Sequence, residues 1–189
     1  MDIGIPEKIQ FNDLGSRIEI ARRWFGWETL LATGIAIFWD SVIFTWYGSV
    51  SSQTPAFVVY LPILHVVVGF LITYYALASW INQTHIEASQ QRIRVRHGPL
   101  PWIGGKEIDA YDVKQLYAKS KHSWFRFRVS FSSSDPDFEV RAITKRGKNV
   151  KVVGGLTTQE QAIFVEQQLE KFLRIEDAPV PGEISKPQV

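Results

Sequence analysis

Three regimes of polarity divide the chain. From residue 29 to residue 81 the only formally charged side chain is Asp40, and residues 30–38 and 66–71 carry only apolar side chains, Thr and Gly. A soluble helix pair needs one polar face per helix. These runs have none, so they predict a transmembrane hairpin over residues 23–81, with spans at about 24–47 and 56–81. At 1.5 Å per residue the first span covers about 36 Å as a helix, enough for a hydrocarbon core of about 30 Å with some tilt. Trp24 and Trp27 stand at one end of it and Trp46 and Tyr47 at the other, while Tyr60 opens the second span and Tyr74, Tyr75 and Trp80 close it, as an interfacial belt requires. The linker at 48–55 is small and uncharged and ends in Pro55, which suits a helix start.

Before the hairpin, residues 1–22 hold Gly4, Pro6 and Gly15 in a polar setting and read as a flexible cytoplasmic lead-in, then a short helical or extended approach to the membrane. This segment has no apolar h-region of a signal peptide, so the first span is read as an anchor that stays.

After residue 82 the period changes to two. Residues 84–88 and 92–96 alternate polar with apolar across a Ser89-Gln90-Gln91 turn and predict a β-hairpin. Further strands are expected at 106–110, 113–118, 124–131, 138–143 and 149–153, which makes seven in all. Gly154-Gly155 breaks the pattern, and Thr157-x-x-Glu160 offers a capping box for a helix whose apolar face is Ala162, Ile163, Val165, Leu169, Phe172 and Leu173. Pro179 and Pro181, among acidic neighbours, predict a flexible acidic tail over 176–189.

Charge sharpens this division. Residues 82–175 carry 16 Lys and Arg against 10 Asp and Glu, a net +6, and residues 176–189 carry 1 against 3, a net −2. The overall +2 of the 189 residues therefore conceals a basic domain with an acidic tail. Arg17, Arg22 and Arg23 precede the first span, Arg-rich sequence follows the second, and the connecting loop has neither Lys nor Arg, so the positive-inside rule puts both termini in the cytoplasm or on the stroma-like side of an internal membrane. The chain has no cysteine, which excludes disulfides, zinc–thiolate sites, iron–sulfur clusters and thiol nucleophiles.

Two spans followed by about seven antiparallel strands and a C-terminal amphipathic helix resemble the bacterial PH-like (pleckstrin-homology-like) domain proteins. The best local match is the strand Arg92-Ile93-Arg94-Val95-Arg96-His97-Gly98. The layout, though no residue motif, is also similar to that of the two-span photosystem I assembly factors. The resemblance implies an α+β membrane protein in the bacterial inner membrane, or alternatively the thylakoid membrane. Its cytoplasmic PH-like β-sandwich or barrel, over 82–175, would bind or scaffold rather than catalyse.

Three sets of side chains are candidate sites. Asp40 and His65 are the deepest polar residues of the spans and lie at equal distances from the loop centre, which places them opposite one another as a register-setting clasp or, alternatively, a proton-relay pair of a transporter accessory subunit. Arg92, Arg94 and Arg96 share one strand face and, with Arg126 and Arg128, are candidates for anionic lipid head groups or a protein partner, against the plain reading of a solvated sheet face. Phe125, Phe127 and Phe131 alternate with the arginines and are expected in the core, which argues against nucleic-acid stacking. Residues 98–105 lack the context of a phosphate loop, the four histidines are scattered without ligand spacing, and Ser132-Ser133-Ser134 has no nucleophile elbow. The expectation is a non-enzyme without cofactor or metal. Its partners would be the bilayer and a membrane protein or a second copy.

Overall fold

The computed structural model describes residues 4–121 and 137–184. These form two units: one combines the chain up to Arg23 with everything from Gln83 onward, and the other is Trp24–Asn82.

The first unit is α+β. Strands β1 (Ile9–Asp13), β2 (Arg17–Arg23), β3 (Gln83–Ser89), β4 (Arg92–Gly98) and β5 (Lys106–Asp109) form an antiparallel sheet in that order, and β6 (Val113–Lys121), β7 (Asp137–Thr144) and β8 (Asn149–Leu156) form a second. No ladder joins the two sheets among the described residues, so a closed seven-stranded barrel is not what the strands build there. The expected strand at 124–131, with Arg126 and Arg128, lies outside the described residues.

The largest departure from expectation is at the N-terminus. Within the segment expected as a flexible lead-in and a helical or extended approach, Ile9–Asp13 and Arg17–Arg23 supply two strands of the sheet. The local signal is present: Ile18 and Ile20 alternate with Arg17, Glu19 and Ala21, and Asp13 Oδ1 accepts the N–H of Gly15 at 2.8 Å in a tight turn where Gly15 adopts φ 75°. What hides it is the partner, since β2 pairs with β3 from Arg17↔Ser89 to Arg23↔Gln83 across the whole apolar hairpin. The hairpin is therefore an insertion within a sheet.

The core gathers the inward rows of both sheets, including Ile18, Ile20, Ile86, Ile93 and Val95 from the first and Leu116, Val140, Val153 and Leu156 from the second, under helix α4 (Gln159–Leu173). α4 starts one residue later than the sequence suggests. Its N-cap is Thr158, whose hydroxyl accepts the Gln161 N–H at 3.2 Å, while Gln161 Oε1 accepts the Thr157 N–H at 3.1 Å. Its buried face is also wider, taking in Phe164, which meets Phe11 of β1 edge-on at 5.9 Å, and the acids Glu166 and Glu170. The stretch expected as a loose tail is tied down as far as Ile184, whose N–H donates to Ala118 O at 3.0 Å and whose side chain packs on the core.

The second unit holds helix α1 (Trp27–Gly48), a short α2 (Ala56–Tyr60) and α3 (Ile63–Ile81). The second apolar stretch is thus two helices, broken at Leu61-Pro62 because proline lacks the N–H that would continue the ladder. By length and composition Trp27–Gly48 and Ala56–Ile81 can each cross a membrane. The residues hidden in α1 and α3 are all small, namely Thr29, Ala36, Gly69, Ala76, Ala78 and Ser79, whereas Phe38, Phe44 and Phe70 turn outward with 68%, 82% and 69% of their surface exposed. Small residues inside and large apolar ones outside is the inverse of a soluble helix pair and the pattern of helices packed in lipid.

Candidate functional site

In the hairpin the structure separates the two residues that counting from the loop had paired. Asp40 Oδ2 accepts a hydrogen bond from Thr73 Oγ1 at 2.7 Å, and His65 instead stacks on Trp39, ring centroids 5.8 Å apart, while its carbonyl accepts the Trp39 Nε1–H at 3.0 Å. Between α1 and α3 lie not only residues 48–55 but also α2 and the break at Leu61-Pro62, so the register shifts along α3 and Asp40 meets a residue about two turns beyond His65. Trp80 Nε1 donating to Thr33 Oγ1 at 2.8 Å repeats the same offset nearer the open end. Close approach is allowed by Gly69: a β-carbon there would lie 2.9 Å from Asp40 Oδ1, 3.0 Å from Ile43 Cδ1 and 3.1 Å from Trp39 Cδ1. Thr73 and Gly69 are not distinguished in the sequence, where an apolar run gives Thr and Gly no context, whereas Trp39 stands out there as the one Trp of the first span away from its ends.

Arg92, Arg94 and Arg96 do share the outer face of β4. Each has a carboxylate from an adjacent strand beside it: Arg92 and Arg94 lie 3.1 and 3.7 Å from the two oxygens of Glu107 on β5, and Arg96 lies 3.5 Å from Glu87 on β3. Arg17 and Glu19, 2.9 Å apart, continue the alternation on β2. This face is a solvated lattice of both signs more than a basic patch, and its pairs, half exposed, are each worth at most about 1 kcal/mol.

A second group of charged residues points the other way. Along β2, β4 and β5 the inward parity is marked by Ile18 and Ile20, by Ile93 and Val95, and by Ile108; Arg22, His97 and Lys106 share that parity and end these rows. Arg22, Thr84 and His97 stand directly opposite one another across three strands, and Thr84 Oγ1 shares a 3.0 Å hydrogen bond with His97 Nδ1. From the second sheet come Lys151, whose carbonyl accepts Lys106 Nζ at 2.6 Å, and the pair Arg141 and Glu139 at 2.8 Å, with Arg141 Nε further donating to Asn149 Oδ1 at 2.6 Å. Partial burial first, then the neighbouring Lys106, Lys151 and Arg22, hold His97 below its ordinary value, against a backbone hydrogen bond with Gly104 that raises it. Burial first, then Lys151 and Arg141, likewise lower Lys106, against the pull of Glu139. Charged residues at inward parity were a readable signal that a strand-by-strand count of apolar positions passes over.

Among the described residues the grouping with metal-like spacing is Glu166, Glu170 and Asp177, carboxylate oxygens within 4.8 Å of one another. Two of these acids are already hydrogen-bond acceptors joining α4 to β6, Glu166 Oε2 from the Ala118 N–H at 2.7 Å and Glu170 Oε1 from Gln115 Nε2 at 3.1 Å. No known family model matches the chain, and no curated protein does either.

Proposed function

We propose that this is a non-catalytic integral membrane protein that presents a PH-like interaction module at the cytoplasmic face of a bacterial inner membrane, or the equivalent face of a thylakoid, as a scaffold or assembly factor for a membrane complex. The observation that carries the reading is the linker-free insertion of the hairpin. β2 ends at Arg23, opposite Gln83, and the next residues continue the pairing with Trp24 N–H donating to Asn82 O at 3.2 Å, so three residues precede α1 and one follows α3. A module whose own sheet carries the two apolar helices as an insertion is confined with them to the bilayer surface, where its effective concentration for a membrane-protein partner is high. Asp40, bonded to Thr73, acts in this reading as a clasp between the spans.

The absence of cysteine makes topology directly measurable. A membrane-impermeant maleimide is expected to label Ser51→Cys from outside sealed cells and Ser89→Cys only after lysis; the opposite pattern rejects the orientation. Purified in mild detergent from its native membranes, the chain is expected to carry a stoichiometric membrane-protein partner whose assembled complex is depleted when this protein is deleted. Undiminished complex in the deletion strain rejects the scaffold reading.

A further inference from the structure

We propose that the loop between β4 and β5 sets its apolar tip, Trp102 and Ile103, into the head-group layer of the bilayer, a third attachment of the module beside its two chain connections. This lipid contact rests on the reading of the hairpin as membrane-spanning, and adds to it which part of the sheet the membrane holds.

Topology places the loop. β4 ends at Gly98, which stands opposite Gln83, the first residue of β3. On the other side of β3 the same Gln83 stands opposite Arg23, the last residue of β2. The loop therefore leaves the sheet at the end where the chain passes into and out of the apolar hairpin, one strand spacing of about 5 Å from the return connection. The Ser89-Gln90-Gln91 turn closes the same two strands at their other end. Lys106 opens β5 opposite Val95, so Ile103, three residues before it, falls near the level of Gly98 and Gln83. Gln83 comes two residues after Ile81, where α3 ends. That is about 7 Å of extended chain, close to the thickness of a head-group layer.

Composition and exposure give the loop its partner. From Gly98 to Gly105 no side chain carries a charge. Ile103 is 88% exposed, more than Phe44 of α1 at 82%, and in water it forgoes the gain that burial gives an apolar side chain. Trp102 beside it is half-buried, and tryptophan favours the membrane–water interface. A lone exposed isoleucine is ordinary on a soluble surface, but here the backbone holds it out. Gly104 takes a left-handed φ of 109° and its backbone is hydrogen-bonded to His97, while a β-carbon on Gly105 would come 3.3 Å from Val95 O, so the loop folds back on β4 through two glycines. One or two side chains are far short of the roughly 800 Å² per partner of a specific protein interface. They suffice as an added membrane contact, because the spans already hold the loop at high effective concentration beside lipid.

The test uses the full chain, which has no cysteine, in nanodiscs of phosphatidylcholine and phosphatidylglycerol, with an environment-sensitive dye on single introduced cysteines. Quenching is read from a lipid carrying a nitroxide at the top of its acyl chain and from iodide in the water. A dye on Ile103→Cys is expected to lose most of its emission to the lipid nitroxide and little to iodide, and one on Gln91→Cys, at the far end of β3 and β4, the reverse. Phe44→Cys, on the outward side of α1, reports the hairpin itself. If Phe44→Cys is open to iodide, the membrane-spanning reading falls and the loop contact with it. If Phe44→Cys is quenched from the lipid while Ile103→Cys is open to iodide, the loop contact alone is overturned and the tip is left to a protein partner. Because the dye is itself apolar, a second one on the exposed Pro101→Cys is read with Ile103 native and with Ile103→Asp. The aspartate is expected to abolish the lipid quenching, and equal quenching in both overturns the proposal.

Discussion

Thr73 Oγ1 donates its 2.7 Å hydrogen bond to Asp40 Oδ2 from a position about two turns beyond His65, the residue that a count from the 48–55 linker places opposite Asp40. The relation turns a candidate proton-relay pair into an interhelical contact made of one carboxylate and one hydroxyl. Thr73→Val is therefore expected to weaken the hairpin by about 1 kcal/mol, the usual scale of such bonds between helices in lipid. Asp40→Asn keeps an acceptor oxygen and is expected to cost less. Unfolding in mixed micelles measures both, and a neutral Thr73→Val beside a costly His65→Gln would contradict the register.

Gly69→Ala brings a methyl group within 2.9 to 3.1 Å of Asp40, Ile43 and Trp39, all on α1. The helices must separate, at an expected cost of about 1–3 kcal/mol. Gly34→Ala, in the same kind of apolar helix but with nothing within 4 Å, is the matched control and is expected to be neutral or slightly stabilising. Equal effects of the two substitutions in the same unfolding assay would show that Gly69 is not a contact residue.

Glu166, fully buried, ties α4 to β6 through the Ala118 N–H. Glu166→Ala leaves that N–H without its carboxylate, and about 1–3 kcal/mol of stability is expected to go with it. Calorimetric unfolding should show the loss, and Glu160→Ala, at an exposed position in the first turn of the same helix, should lie well within it.

His97 titrates below its ordinary value of 6.5 in the folded chain, so the unfolded chain binds its proton more readily. Stability is expected to fall as pH drops below about 6.5 and to level off below the folded value, where both states are protonated. Denaturant midpoints measured across this window should show the slope in wild type and a flatter one in His97→Gln. A steeper fall in the variant would mean that His97 gains, rather than loses, on protonation.

The outer face of β4 makes the contrasting case. Arg96→Gln removes a 3.5 Å pair with Glu87 whose side chains are about half exposed, and less than about 1 kcal/mol is expected to be lost, diminishing further in salt. Urea midpoints at low and high ionic strength check this.

Much of the architecture is carried by local pattern. The lack of charge from residue 29 to 81 marks the apolar hairpin, and the alternation around Ile86, Ile93 and Val95 marks β3 and β4 close to their observed bounds. Helix α4 is announced by its spacing, although the cap moved from Thr157 to Thr158. These features depend on residues within a few positions of each other, and the period of a helix or strand is written into such neighbours.

The rest was decided by partners distant in sequence. Ile18 and Ile20 alternate like any strand, yet their row became part of a sheet only because β3 returns beside them after the hairpin insertion. Glu107 and Glu87 neutralise a face that reads as basic when β4 is taken alone. Thr73 stands where His65 was expected because α2 and the proline break lengthen the reversal between α1 and α3, which a count from residues 48–55 does not contain. The cation cluster follows the same logic: Arg22, His97, Lys106 and Lys151 are scattered over four strands, and only the packing of one sheet against the other collects them, since charge acts through distance in space and the sequence records distance along the chain.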